Sequence, residues 1–120
     1  KAMQALQQKV SVHGMAHITG GGILENLPRV MPDYTEAHID TDSWQRPAIF
    51  DWLQKEGNIA SREMLRTFNC GIGMIVCVPA EQADTAVELL NTMTRGATII
   101  GKITKAEAEK PAVIASGQYA

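Results

Sequence analysis

Hydrophobic and polar positions along this chain switch repeatedly between a helical and a strand period. Ala2, Leu6 and Val10, with Met3 beside them, share one face of an opening helix. No Ser, Thr, Asp or Asn precedes them as a cap, so the helix starts as if in its middle. Val10 to Thr19 alternates loosely and predicts a strand. Residues 20–31 predict a glycine turn and a short helix, disturbed by Pro28 and closed before Pro32. Ala37-His38-Ile39-Asp40 predicts a short strand. Pro47 then stands near the start of a helix carrying Ile49, Phe50 and Leu53, with Gly57 as its C-terminal stop. Ser61 is placed to cap a shorter helix through Arg66. Cys70 to Val78 is apolar apart from its glycines, as a strand buried on both faces would be, and Pro79 ends it. From about Glu81, Ala83, Ala86, Val87, Leu90 and Met93 gather on one helical face behind an acidic first turn. Thr98 to Thr104 and Pro111 to Ala115 predict the last strands. Strands alternating with helices define an α/β domain, and no repeat, low-complexity stretch or linker divides it.

Length and charge narrow the function classes. A chain of 120 residues forms one modest core. Its formal charge of -2 presents no basic surface for nucleic acid or an acidic membrane. Aromatic residues at 5% are too few for a base-stacking platform. No apolar run approaches the roughly 20 residues that span a bilayer. Cys70 and Cys77 match neither a zinc knuckle nor a redox pair, and read as buried, reduced thiols of a cytoplasmic protein. No signal peptide is visible. The uncapped opening helix predicts an N-terminally truncated piece of a longer protein.

The richest chemistry lies at Gly14-Met15-Ala16-His17-Ile18-Thr19-Gly20-Gly21-Gly22, followed by Ile23-Leu24-Glu25-Asn26-Leu27. Three glycines in a row pack nothing and leave the backbone free to turn tightly or touch a ligand. A strand, a glycine turn and a helix start together make an anion pocket, with N–H groups outward and the helix dipole favouring a phosphate. Glu25 and Asn26 follow within a helical turn and could reach a ligand seated there; local capping on a solvent face is the competing reading.

Three other patterns carry less. His13 and His17 share a strand face, and His38 could join them. No Glu follows His13 as a base and no Cys lies near, so hydrogen bonding or substrate contact outranks metal ligation, and no metal is expected. Gly96-Ala97-Thr98-Ile99-Ile100-Gly101-Lys102 has P-loop spacing. Ile103 follows the lysine where Ser or Thr is required, and β-branched residues fill the loop, so the match is accidental. Asn69 stands before the glycines of Cys70-Gly71-Ile72-Gly73, where it either orients a bend or bonds a substrate. No catalytic base can be picked out.

Two segments go beyond generic physics. His13 to Gly22 continued by Glu25-Asn26-Leu27-Pro28-Arg29-Val30 resembles the signature of the phosphoribosylformylglycinamidine cyclo-ligases, also called phosphoribosylaminoimidazole synthetases. Arg66-Thr67-Phe68-Asn69-Cys70-Gly71-Ile72-Gly73-Met74 is similar to their second C-terminal motif. The likeness runs from Lys1 to about Ile103 and is weakest after Lys105. It implies a layered α/β sandwich with a mixed sheet and partial ferredoxin-like topology. Residues 1–120 would be a single C-terminal substrate- and phosphate-binding domain whose ATP-binding N-terminal domain is absent. The family's enzymes are homodimers of cytoplasmic purine biosynthesis. They convert formylglycinamidine ribonucleotide to aminoimidazole ribonucleotide with release of ADP and phosphate, and ATP and Mg²⁺ are bound mainly by the N-terminal domain. On this resemblance Thr19, Gly20, Gly21 and Gly22 hold a phosphate, His17 and Asn26 contact substrate, and Asn69 is a further contact. The chain alone is expected to be inactive. The alternatives are a non-catalytic phosphate-binding or interaction domain, or a sibling ATP-dependent enzyme such as formylglycinamidine synthetase.

Overall fold

The computed structural model describes residues 2–93 and 96–119, with the side chains of Ala2, Met3 and Met93 outside the description. The predicted helical-face positions of those three side chains therefore lie outside it too. The chain is of the α/β class expected from its alternating pattern. It divides into two compact units, Lys1–Met15 with Val76–Ile99, and Ala16–Ile75 with Ile100–Ala120. The division falls inside β1 (Gly14–His17) and β3 (Met74–Cys77), which pair as a two-stranded ribbon.

In the smaller unit, α1 (Ala2–Lys9) and α5 (Ala83–Met93) meet through their apolar faces. Leu6, Val10 and Ala86 are buried there, with Val12, Val76, Val78, Leu89 and Leu90 packed around them. A leucine with no exposed surface, as Leu6 is, contributes about 2 kcal/mol by leaving water. A turn of 3-10 helix, Ala80–Gln82, precedes α5, and Gln82 Oε1 accepts the Ser11 N–H at 2.8 Å.

The larger unit is built on a mixed sheet in the order β4-β2-β5. Its central strand, β2 (Thr35–Asp40), pairs antiparallel with β4 (Gly101–Lys105) and parallel with β5 (Ala112–Ser116). Ala37 and Ile39 point to one face with Val113 opposite Ala37, and all three are buried. That face meets α2 (Gly22–Asn26) and the 3-10 turn Leu27–Val30, which supply the buried Ile23 and Leu27. A second cluster of Met64, Leu65 and Cys70 joins α4 (Ser61–Thr67) to Leu24, Phe50, Ile59, Phe68 and Ala115. The Phe50 and Phe68 rings stand 6.0 Å apart and tilted.

Several boundaries differ from the sequence reading. The predicted strands at 10–19 and 70–78 shrink to residues 14–17 and 74–77. Cys70 and Gly71 are a left-handed turn rather than strand, at φ 53 and 100, and Met74 is exposed. An apolar run does not distinguish a buried strand from a turn whose side chains plug a core. The strand predicted from Thr98 begins at Gly101, and α5 follows its 3-10 turn only from Ala83. The helix α3 (Ala48–Gly57) is stopped by Asn58, not Gly57. Asn58 adopts the left-handed conformation at φ 50, and the Ile59 N–H returns to the Gln54 carbonyl at 3.0 Å. Ser61 does not cap α4: the N-cap is Ala60, and Ser61 Oγ accepts instead from Gln54 Nε2. No helix among the described residues is long and apolar enough to cross a membrane.

Candidate functional site

The glycine turn closes on itself through Asn26. The Gly22 N–H donates to the Thr19 carbonyl at 3.0 Å, and the Glu25 N–H to the Gly21 carbonyl at 3.3 Å. Asn26, 5% exposed, accepts the Thr19 N–H at 2.6 Å through Oδ1 and donates Nδ2 to the Gly20 carbonyl at 3.2 Å. Its amide is thus spent on shaping the loop, much as a side chain caps a turn. Gly21 and Gly22 have φ of 101 and 61, a region that side-chain-bearing residues avoid.

The three glycines do different work. A Cβ on Gly22 would lie 1.9 Å from the Leu65 carbonyl oxygen and 2.7 Å from that of Phe68, so Gly22 is the point where α2 lies against the end of α4. A Cβ on Gly21 would meet the Glu25 side chain at 3.0 Å. Gly20 is exposed, and a Cβ there meets nothing within 4 Å. Among the described residues the N–H groups of Gly20 and Gly21 have no hydrogen-bond acceptor. The open, donor-bearing side of the turn is therefore Thr19, Gly20 and Gly21, while Gly22 and Asn26 face inward.

The close approach at Gly22 brings the two singled-out segments together. Phe68, whose carbonyl abuts Gly22, leads directly into Asn69. Asn69 Oδ1 accepts the Gly71 N–H at 2.9 Å and its carbonyl accepts the Ile72 N–H at 3.0 Å, which folds the following turn. The Ile18 N–H donates to the Gly73 carbonyl at 2.9 Å, tying the approach to the glycine turn to the exit from the second segment. His17 is exposed at the end of β1, two residues before Thr19.

Sequence reasoning passed over one residue of this surface. Arg66 is half exposed, with Nε 3.7 Å from Glu25 Oε2 and Nη1 3.3 Å from Glu63 Oε2. Its place in the Arg66-Thr67-Phe68-Asn69 segment was the available signal. It also corrects the source of positive potential. With five residues, α2 is too short for its macrodipole to matter much, so an anion at the turn would be drawn by Arg66 and by backbone donors. Exposed ion pairs such as these contribute at most about 1 kcal/mol, so Arg66 can exchange Glu25 for another anion at little cost.

The remaining candidates lie elsewhere. His13 belongs to the smaller unit, whereas His38 Nε2 meets Glu36 Oε1 at 3.0 Å on β2. Among the described residues no group of three or more His, Cys, Asp or Glu side chains could hold a metal ion. Lys102, the lysine of the P-loop-like spacing, sits in β4 opposite His38 and precedes no helix. Cys70 and Cys77 are free thiols, Cys70 buried as expected and Cys77 only half-buried, and burial raises the pKa of both above 9.0. For Cys70 the Arg46 guanidinium partly offsets that rise.

A family model described as AIR synthase related protein, C-terminal domain, matches residues 1–114. The chain belongs to this family, whose members are ATP-dependent enzymes that include those of purine biosynthesis.

Proposed function

We propose that this chain is the C-terminal, substrate-holding domain of an ATP-dependent cyclo-ligase that closes formylglycinamidine ribonucleotide to aminoimidazole ribonucleotide. The observation that carries this reading is the meeting of the two cyclo-ligase-like segments at Gly22 and the Leu65 and Phe68 carbonyls. Between them they leave an open turn with free N–H donors, a hydroxyl and a guanidinium. Those groups fit a phosphate monoester: Gly20 and Gly21 donate from the backbone, Thr19 from its hydroxyl, and Arg66 supplies charge. Asn26 keeps the turn in shape, and Asn69 and His17 border it. Glu25, 3.7 Å from Arg66, gives up that exposed pairing when the phosphate takes its place beside the guanidinium.

ATP supplies the activation: the formyl oxygen takes its terminal phosphoryl group, ADP leaves, and the poor leaving oxygen becomes a good one. The substrate's own nitrogen then bonds to that carbon, loses a proton and expels phosphate. The role of this domain is to hold both ends of the substrate so that nitrogen and carbon stay in reach. In this reading ATP and Mg²⁺ are held mainly by a preceding domain, the enzyme is a cytoplasmic homodimer, and the chain alone turns nothing over. ADP release by the full-length protein, with and without formylglycinamidine ribonucleotide, tests it. Release that depends on this substrate is expected. Release with another acceptor would identify a sibling enzyme, and no release from a folded protein that binds phosphate would leave a non-catalytic binding domain.

A further inference from the structure

Arg46 has no part in the glycine turn, yet its side chain is only 2% exposed. Its Nε donates to Asp51 Oδ1 at 3.0 Å and its Nη2 to Gln54 Oε1 at 2.6 Å. Gln54 passes the connection on, donating Nε2 to the Ile59 carbonyl and to Ser61 Oγ at the start of α4. Nη1 has no hydrogen-bond partner among the described residues. The Tyr119 ring lies over the guanidinium at 4.1 Å. That ring is fastened by its own segment. The Tyr119 N–H donates to Thr41 Oγ1 at 3.1 Å and the Gln118 N–H to Asp42 Oδ1 at 3.0 Å. Burying an incompletely paired guanidinium is a poor way to stabilise a fold, since an apolar side chain of similar size does as well or better. Its value therefore lies in what it holds.

The residues that flank Arg46 in sequence brace the turn after Asn69. The Trp44 Nε1–H donates to the Cys70 carbonyl at 3.0 Å. Pro47 fills the space above Gly71, where a Cβ would lie 2.6 Å from its Cδ. Cys70 itself is held at φ 53, a conformation that persists only where the surroundings impose it.

We propose that Arg46, covered by the Tyr119 ring, is a positioning residue that clamps the Asn69-Cys70-Gly71 turn and thereby keeps Asn69 and the Phe68 carbonyl in place beside the glycine turn. The clamp stands on geometry alone; its consequence for turnover rests on the cyclo-ligase reading.

The test uses full-length protein carrying Tyr119→Ala, Tyr119→Phe or Arg46→Lys. Alkylation of the Cys70 peptide by iodoacetamide is followed by mass spectrometry, with the Cys77 peptide as an internal control for general loosening. Tyr119→Ala is expected to speed Cys70 alkylation about 2- to 30-fold, the range cation–π contacts span from exposed to desolvated, with Cys77 unchanged. Tyr119→Phe retains the ring and is expected to match wild type. Arg46→Lys keeps the charge but loses the planar fork, so it is expected to speed Cys70 alkylation and raise KM for formylglycinamidine ribonucleotide several-fold with kcat within twofold. An unchanged Cys70 rate in Tyr119→Ala, equal acceleration in Tyr119→Phe, or parallel acceleration at Cys77 would each overturn the clamp. Faster alkylation in Arg46→Lys with KM unmoved would overturn the positioning role while the cyclo-ligase reading stood. If wild type releases no ADP with that substrate, the cyclo-ligase reading fails, and the alkylation arm still decides the clamp.

Discussion

Replacing Gly22 and Gly20 separately by alanine distinguishes the packed glycine from the open one. At Gly22 two penalties add. Alanine in the left-handed region costs about 1 to 2 kcal/mol. A methyl group 1.9 Å from the Leu65 carbonyl oxygen, which is backbone and cannot swing aside, forces α2 away from α4. Overpacking of that kind costs about 1 to 3 kcal/mol more. The sum, about 2 to 5 kcal/mol, compares with a total stability of roughly 6 to 18 kcal/mol for a domain of this length. At about 3 to 5 °C per kcal/mol, Gly22→Ala should lower Tm by roughly 6 to 25 °C. Gly20 has neither a positive φ nor a neighbour within 4 Å, so Gly20→Ala should stay within about 0.5 kcal/mol of wild type. Urea denaturation followed by circular dichroism, compared at constant m, reads both. A Gly22→Ala protein that melts with wild type, or a Gly20→Ala protein that falls as far as Gly22→Ala, would refute the placement of α2 against α4. The contrast also says which glycine to probe for ligand binding. Gly21→Val would be strained at φ 101 whether or not a phosphate sits there, whereas substitution at Gly20 perturbs only the open side.

Further predictions follow from the turn and the thiols. Asn26→Ala removes two bonds and strands the Thr19 N–H and the Gly20 carbonyl, so it should cost about 2 to 3 kcal/mol, checked by the same denaturation; a change below about 0.5 kcal/mol would mean the amide does not shape the turn. Cys70 and Cys77 have raised pKa values in the folded protein because burial disfavours the thiolate. Their stabilisation is complete below the unfolded thiol value and is lost as pH rises through the folded ones. The urea midpoint should therefore fall as pH climbs above about 9, and fall less in a Cys70→Ala, Cys77→Ala double variant; equal slopes would contradict the assignment.

How much the sequence disclosed depended on how local the signal was. Helix α3 is written in the Pro47 start and the spacing of Phe50 and Leu53, and it forms where expected. Its end was misplaced by one residue because Asn58, like glycine, tolerates the left-handed conformation. The Cys70 to Val78 run misled because apolar content does not reveal chain direction: Cys70 is buried by turning into a core, not by lying in a sheet. At the glycine turn, the residues were legible but their division of labour was not. That Gly22 is occupied by packing depends on α4, some forty residues away in the chain, and that Asn26 is spent on the loop depends on how the turn folds back onto its amide. The same holds for Arg46, whose partners Asp51 and Gln54 are nearby in sequence but whose cover, Tyr119, is not. An arginine read alone looks like solvated surface.

In the cyclo-ligase reading the substrate's phosphate rests on the open side of the glycine turn. Amide chemical-shift mapping of ¹⁵N-labelled full-length protein, titrated with formylglycinamidine ribonucleotide, tests this placement. Saturable shifts are expected at Thr19, Gly20 and Gly21, weakened in Arg66→Gln. Saturable binding that moves other amides and leaves those three unmoved would contradict it.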